Sequence, residues 1–187
     1  MSDNKKPVIL VLSGPSGAGK TTLSNALIAA VPNSTQAVSH TTRAPRSGEK
    51  EGEDYFFVSE AEFLRLVKRG DMLEYAEVYG NLYGTSRKSI EQALREGKNI
   101  VLDIDWQGAR HIKSIYPDAI TVYILPPAQQ ESEKRLISRQ QDSGATIKSR
   151  MAEYKEQLSH QSEFDHVIIN DRLSDATREL VRILHFG

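Results

Sequence analysis

Short apolar runs separate longer segments in which apolar residues recur every three or four positions. The runs predict strands at residues 8–13, 55–58, 73–78, 100–105, 121–125 and 166–170. The first run and the last three lack polar alternation, which is typical of parallel strands covered on both faces. Because helical patterns lie between the strands, the sequence predicts an α/β fold with a parallel sheet at its centre.

Local signals mark the ends of two helices between these runs. Ser59 and Glu62 have the spacing of a capping box, which predicts a helix that begins there and ends at Gly70. A second helix is predicted over residues 86–96, with Gly97 after its last turn.

The pattern divides the chain into three parts. Residues 7–35, 98–125 and 162–187 form the predicted core. Residues 36–97 have shorter, more polar strands and a charged loop at 41–54, which predicts an insertion that carries a second substrate. Residues 126–161 are strongly charged and predict two helices joined by a small polar turn. Such a hairpin can act as a lid, although a solvated helix pair remains an alternative.

A phosphate-binding motif follows the first strand. Residues 14–21 fit the pattern G-x-x-x-x-G-K-[ST], between a predicted strand and a predicted helix, as the motif requires. Its backbone N–H groups converge on phosphate oxygens, Lys20 reaches the outer phosphates and the Thr21 hydroxyl binds Mg²⁺. The predicted ATP site consists of Gly14, Pro15, Ser16, Gly17, Ala18, Gly19, Lys20 and Thr21. The fold is therefore predicted to have a P-loop NTPase-type parallel sheet flanked by helices, with an inserted mixed α/β region and a helical lid.

An aspartate ends the predicted strand at residues 100–105. Asp103 follows three apolar residues, where a carboxylate would hold Mg²⁺ beside Thr21. Asp105 lies two residues further along, so the period of a strand predicts that it points to the same side. We expect both carboxylates to face one cleft.

Two arginines in the long loop suggest a second phosphate site. Arg43 and Arg46 are separated by Pro45, which stiffens the link between them. Two guanidinium groups at this spacing suit a phosphate with two negative charges, and Tyr55 and Tyr83 could add hydroxyl donors. A surface loop with scattered arginines is the alternative at this stage.

The composition limits the classes of function. The 187 residues carry a formal net charge of -1, which argues against a broad electrostatic surface for nucleic acid. The absence of cysteine excludes disulfides and thiolate metal sites. The apolar residues before Gly14 are too few for a signal sequence or membrane span, so we expect a cytosolic protein that binds no membrane.

The motifs together resemble the guanylate kinase family, most closely its bacterial form. The resemblance runs from residue 8 to about residue 171. The matching segments, in order and spacing, are residues 14–21, 38–46, 52–58, 73–78, 80–86 and 102–108. The resemblance implies a core, a GMP-binding insertion and a lid that together catalyse ATP + GMP ⇌ ADP + GDP with Mg²⁺. ATP and GMP are the expected partners, and the sequence does not predict an oligomeric state.

The resemblance also implies roles for individual residues. Guanine would be contacted by Ser39, Glu74 and Thr85, with Asp105 near the base. The GMP phosphate would be held by Arg43, Arg46, Tyr55 and Tyr83. The catalytic cations would be Lys20, Arg135, Arg139 and Arg150, the three arginines closing over the ATP phosphates. Many relatives have glycine where this chain has Gln140, so the role of Arg139 carries over less directly.

The chemistry of guanine agrees with a role for Glu74. Guanine presents N1–H and the exocyclic amine side by side, so one carboxylate can accept both hydrogen bonds. Adenine has a lone pair at N1 and no amine at C2, which would leave a buried carboxylate unpaired. The attacking phosphate oxygen is already ionised at neutral pH, so the reaction needs no general base.

Three other functions share some of these features. Residues 105–108 fit the D-x-x-G motif of a GTPase switch, but no N-K-x-D segment follows them. Related domains in scaffold proteins bind phosphopeptides without catalysis, whereas Lys20 and Thr21 favour a working phosphate site here. A sugar-phosphate kinase on the same scaffold would not need Glu74 or Ser39.

Overall fold

The structure is a computed structural model that describes residues 6–138 and 144–186. Its strands are β1 (Ile9–Ser13), β2 (Ser34–Gln36), β3 (Ser39–Thr41), β4 (Tyr55–Phe57), β5 (Met72–Val78), β6 (Asn81–Ser86), β7 (Asn99–Asp103), β8 (Ile120–Leu125) and β9 (His166–Ile169). Its α-helices are α1 (Lys20–Ala30), α2 (Glu60–Lys68), α3 (Arg87–Arg95), α4 (Trp106–Ile115), α5 (Gln129–Ser138), α6 (Gly144–Ala152), α7 (Tyr154–Ser159) and α8 (Leu173–Phe186). A short 3₁₀ helix covers Gln161–Glu163.

A parallel sheet forms the centre of the fold, with strand order β2-β7-β1-β8-β9. Leu10 and Leu12 of β1 pack on one face in a cluster with residues of α1 and α8. Ile9 and Val11 pack on the other face with residues of α3 and α4. Because helices cover both faces, the central strands need no polar positions. The predicted parallel sheet flanked by helices is confirmed.

The last strand differs from its prediction. Residues 167–169 were expected to be covered on both faces, but the side chains of Val167 and Ile169 are 44% and 61% exposed. The strand β9 lies at the end of the sheet in the described part of the chain, and Ile168 alone of these three is buried. The apolar run therefore identified a strand but not its position at the edge.

A second, mixed sheet has the order β4-β3-β6-β5. Its strands β3 and β4 are parallel, whereas β3–β6 and β5–β6 are antiparallel. The sequence predicted β4 and β5 but not β2, β3 or β6, because these three are short or polar. Helix α2 packs on this sheet through Phe63, which contacts Gly84 of β6 and Tyr75 of β5. Ser59 caps the helix by accepting a hydrogen bond from Glu62 N at 3.2 Å.

Within its described residues, 126–138 and 144–161, the segment predicted as a lid contains three α-helices, α5, α6 and α7, rather than two. The polar turn predicted to join two helices lies largely at residues 139–143, outside the described part. Glu153 separates α6 from α7. No helix in the described part is both long enough and apolar enough to span a bilayer.

We predict that the second sheet depends on the Phe63 side chain. Its ring is completely buried, 6.4 Å from the Tyr75 ring between centroids. Phe63→Ala should lower the free energy of unfolding by about 3 kcal/mol, because it removes a large buried side chain and leaves a cavity. Urea unfolding measures this, with Leu64→Ala as the control, since Leu64 is 50% exposed. Equal losses in the two variants would contradict the packing described here.

Candidate active site

One cavity of about 440 Å³ lies where the two sheets and the lid meet. It brings together most of the residues that the sequence singled out. Those that line it are Gly14, Ser16, Gly17, Gly19, Lys20, Thr21, Ser39, Arg43, Arg46, Tyr55, Glu74, Tyr83, Asp103, Asp105 and Arg150. Pro15, Ala18, Thr85 and Arg135 lie behind this lining, and Arg139 is outside the described residues.

The loop between β1 and α1 is packed tightly against β8 and α5. Gly14 and Gly17 have φ angles of 139° and 81°, which L side chains rarely adopt. A Cβ atom on Gly14 would lie 2.1 Å from the Ile124 carbonyl oxygen, and one on Gly17 would lie 2.6 Å from that of Ser132. Lys20 begins α1, and its Nζ donates to the Gly14 carbonyl at 2.9 Å. The loop is therefore held against β8 and α5 with its amides near the start of α1.

Thr21 and Asp103 meet at the carboxyl edge of the central sheet. The parallel register pairs Leu12 with Asp103, which places the carboxylate beside the loop that follows β1. The Thr21 hydroxyl donates to Asp103 Oδ2 at 2.7 Å. No cluster of three or more His, Cys, Asp and Glu that could hold a metal occurs among residues 6–138 and 144–186. Two neighbouring oxygen ligands fit Mg²⁺, which keeps several waters and binds largely through substrate phosphates.

Asp105 reaches the cavity by a different route from the one predicted. The strand predicted over residues 100–105 ends at Asp103, so the two-residue period does not apply. Asp105 is instead the N-cap of α4, and its Oδ1 accepts a hydrogen bond from Gly108 N at 2.9 Å. The carboxylate thus caps a helix while it lines the cavity.

Glu74 is a buried carboxylate in the second sheet, with 4% of its surface exposed. The strand registers pair Thr85 with both Glu74 and Ser39, so the three residues form a row across β5, β6 and β3. The Thr85 hydroxyl donates to Glu74 Oε1 and lies 3.4 Å from Ser39 Oγ. A Cβ atom on Gly108 would lie 2.6 Å from Glu74 Oε2, so the first turn of α4 packs against the carboxylate.

Burial dominates the electrostatics of Glu74. It raises the pKa of the carboxyl to about 7, the Thr85 hydrogen bond opposes this shift, and the charge of Asp105 adds to it. A carboxylate here has lost most of its hydration. Hydrogen-bond donors brought by a ligand would therefore stabilise it strongly.

The arginine loop is fixed by a residue that the sequence did not single out. Arg43 Nη2 donates to Glu49 Oε1 at 2.9 Å, and Arg46 N donates to Glu49 Oε2 at 2.8 Å. The Arg43 guanidinium lies 5.4 Å from the centroid of the Tyr55 ring, which itself lies 6.0 Å from that of Tyr83. Burial and the charge of Asp103 raise the pKa of Tyr55, so its hydroxyl stays protonated and able to donate.

The described lid arginines occupy different places. Arg150 Nη1 lies 3.4 Å from Ser16 Oγ, on the cavity side of the phosphate loop. Arg135 Nη2 donates to the Asn170 carbonyl at 3.0 Å, and its Nη1 lies 3.4 Å from the Ala18 carbonyl. Arg135 is therefore held behind the loop.

Asn170 is a second residue that the sequence analysis missed. Its side-chain amide donates to the Ala18 carbonyl at 2.8 Å and is buried. It follows β9 and supports the loop from a position 152 residues along the chain. The only local signal was its place as the last residue of a predicted strand.

Comparisons with known proteins agree with the geometry. The family model described as guanylate kinase matches residues 4–186. The guanylate kinase of Shewanella violacea is 50% identical, over 94% of this chain and 86% of its own length. That of Vibrio cholerae is 49% identical, over 96% of this chain and 87% of its own. The crystal structure of guanylate kinase from Anaplasma phagocytophilum has a TM-score of 0.80 at 37% identity, and the match covers 96% of this chain and 85% of that one.

We predict that Glu74 makes the stability of the protein depend on pH. Because its folded pKa is raised from 4.5 to about 7, folding favours the protonated carboxyl. This contribution to the free energy of unfolding is fully present below the unfolded pKa of 4.5 and is lost as the pH rises through 7. Glu74→Gln, which cannot ionise, should therefore gain about 2.5 kcal/mol in free energy of unfolding over the wild type between pH 5 and pH 8.

Urea unfolding at the two pH values measures this difference. Glu77→Gln on the same strand is the control, because Glu77 is exposed. A Glu74→Gln protein whose stability follows the wild type at both pH values would contradict the assignment of a buried, destabilised carboxylate.

Proposed function

The chain belongs to the guanylate kinase family, and we propose that it transfers the γ-phosphoryl group of ATP to GMP, giving ADP and GDP. The observation that carries the proposal is the single cavity in which a phosphate loop faces a buried carboxylate. In this proposal residues 7–35, 98–125 and 162–187 form the core. Residues 36–97 bind GMP, and residues 126–161 form the lid.

The guanine base binds beside Glu74. The charged carboxylate accepts N1–H and the exocyclic amine, and the hydroxyls of Ser39 and Thr85 lie within the same row of side chains. Binding of guanine shifts Glu74 towards its charged form, because two donors replace the water lost on burial. Asp105, at the start of α4, lies on the other side of the base and keeps the local field negative, which favours a ligand edge made of donors.

The GMP phosphate binds to the arginine loop. Arg43 and Arg46 neutralise its charge, and the hydroxyls of Tyr55 and Tyr83 donate to its remaining oxygens. Glu49 fixes the two arginines relative to each other through the hydrogen bonds described above. The loop is therefore ordered before GMP arrives, which lowers the entropic cost of binding.

ATP binds with its phosphates on the loop formed by residues 14–21. The backbone amides and Lys20 hold the outer phosphates, while Arg150 approaches from the lid. Arg135 supports the loop from behind through the Ala18 and Asn170 carbonyls. Arg139 is proposed as a further lid cation from the family resemblance.

Thr21 and Asp103 would hold Mg²⁺ together with ATP. The ion would supply positive charge between the outer phosphates and so reduce their repulsion of the incoming nucleotide. The protein residues align an oxygen of the GMP phosphate with the γ-phosphorus. The new P–O bond forms as the bond to the bridging oxygen of ADP breaks. Because the attacking oxygen of the GMP phosphate is already ionised, the residues contribute alignment and charge rather than proton transfer.

We predict that base choice depends on Glu74. With ATP and Mg²⁺, the wild type should use GMP in preference to AMP by a factor on the order of 10⁴ in kcat/KM. Glu74→Gln should lose about 100-fold in kcat/KM for GMP, mostly through KM, because its amide N–H₂ faces the donors of guanine. A coupled assay of ADP release with each nucleoside monophosphate measures both effects.

Glu179→Gln is the control for the kinetics, since it changes one exposed carboxylate on α8, which does not line the cavity. Comparable wild-type turnover with AMP and GMP would contradict the proposed specificity. Unchanged GMP kinetics in Glu74→Gln would contradict the assignment of the guanine contact.

A further inference from the structure

The turn between β5 and β6 contains a residue in an unfavourable backbone conformation. Tyr79 and Gly80 are its only two residues, and their φ angles are 52° and 72°. Two positive φ angles describe a type I′ turn, for which Asn-Gly is strongly preferred. A tyrosine in the left-handed region costs on the order of 1 kcal/mol. Asn33, the other described residue of this kind besides glycine, is of a type that tolerates such angles.

The Tyr79 side chain reaches from the turn to the lid. Its hydroxyl oxygen accepts a hydrogen bond from Gln157 Nε2 of α7 at 2.8 Å. Its ring faces the Arg150 guanidinium of α6, with 5.2 Å between the guanidinium carbon and the ring centroid. This distance is typical of a cation–π contact. One side chain of the second sheet therefore contacts two helices of the lid.

Both lid residues continue the connection to the central sheet. Arg150 Nη1 lies 3.4 Å from Ser16 Oγ in the phosphate loop. The Gln157 carbonyl accepts a hydrogen bond from the Tyr123 hydroxyl of β8. Along the chain, Tyr79 directly follows β5, the strand that contains Glu74. A continuous set of contacts thus joins the carboxylate strand to the phosphate loop through the lid.

We propose that Tyr79 is a positioning residue that docks the lid on the second sheet and places Arg150 over the phosphate loop. It acts through Arg150 and Gln157 rather than by touching the transferred phosphoryl group. The inference rests on the proposed function, because its consequence is that GMP and ATP bind with positive coupling. A sheet held in place by GMP fixes the turn, and the turn fixes the lid arginine.

Tyr79→Asn tests the inference without disrupting the hairpin. Asparagine favours the left-handed conformation, so the turn should form at least as well as in the wild type. The substitution removes both contacts to the lid. Tyr79→Phe removes the hydrogen bond to Gln157 and keeps the ring against Arg150. Tyr75→Phe is the matched control, because Tyr75 lies on β5, the strand that Tyr79 directly follows, and is 54% exposed.

Calorimetry gives the Kd of GMP alone, the Kd of a non-hydrolysable ATP analogue alone, and each in the presence of the other. Tyr79→Asn should reduce the coupling between the two nucleotides about tenfold. It should lower kcat by about the same factor, because Arg150 is misplaced in the transition state. The Kd of GMP alone should change less than about twofold, since the guanine contacts are intact.

Two results would overturn the inference. Tyr79→Asn could keep the coupling and kcat of the wild type, which would show that the contacts do not position the lid. Alternatively, the Kd of GMP alone could rise as much as kcat falls, which would make Tyr79 a direct GMP contact.

In a double-mutant cycle, Tyr79→Phe and Gln157→Leu should together cost no more than the larger single effect. Additive losses would contradict a shared hydrogen bond.

Fluorescence of the nucleotide-free protein separates this inference from the proposed function. Trp106 is the single tryptophan, and it stacks on His160 at the end of α7 with 3.5 Å between ring centroids. Undocking of the lid in Tyr79→Asn should expose this ring and raise its quenching by acrylamide, whatever nucleotide the enzyme uses. Unchanged quenching would overturn the inference, whereas a wild type that fails to phosphorylate GMP would overturn the proposed function.

Discussion

Desolvation of the Glu74 carboxylate is the interaction on which the account depends. The group belongs to β5 of the second sheet, with one oxygen against the first turn of α4, and burial raises its pKa to about 7. A charge in such a place destabilises the empty protein. Two neighbouring donors on a ligand compensate for the lost water, and guanine has them side by side. In the proposed function, selectivity for guanine follows from the same burial that makes the charged residue destabilise the fold.

The rest of the fold holds this group at a fixed distance from the phosphate loop. A β-bulge between Met72 and Glu74 lets two successive residues, Leu73 and Glu74, both point inward. Leu73 anchors the strand in the cluster that also contains residues of β1 and β7, while Glu74 faces the cavity. The buried ring of Phe63 stabilises the sheet from the other side. The carboxylate and the loop are thus each held by packed neighbours, and in the proposed function residues 126–161 supply further cations between them.

Local patterns in the sequence predicted the parts of the structure that depend on local rules. The phosphate loop is defined by its glycines and by the strand and helix on either side, and Asp103 by its place at the end of an apolar strand. Strand β3 was missed because it has only three residues, and β6 because it is polar. Strand β9 was predicted at the right place in the chain, but an apolar run does not reveal that a strand lies at an edge. The strand predicted over residues 100–105 ends at Asp103, because Asp105 caps the helix that follows. Strand pairing, the edge position of β9 and the cap at Asp105 all depend on which other elements pack beside these residues.

The candidate site was accessible from sequence mainly through the family resemblance, which supplied the roles proposed for the guanine and lid residues. Residues that act by tertiary contact gave no comparable signal. Glu49 fixes the arginine loop, Asn170 supports the phosphate loop from the far end of the chain, and Gln157 meets Tyr79 across 78 residues. Their partners are remote in sequence, and single-sequence patterns contain no information on such pairs.

The most direct test of the central claim is a ¹³C NMR titration of the Glu74 side-chain carboxyl, assigned by comparison with Glu74→Gln. In the nucleotide-free protein the carboxyl should titrate near pH 7. With GMP bound, the pKa should fall by at least about 2 units, because the two donors of guanine stabilise the charged form. A carboxyl that titrates near its ordinary value without nucleotide, or one whose pKa is the same with and without GMP, would contradict the account.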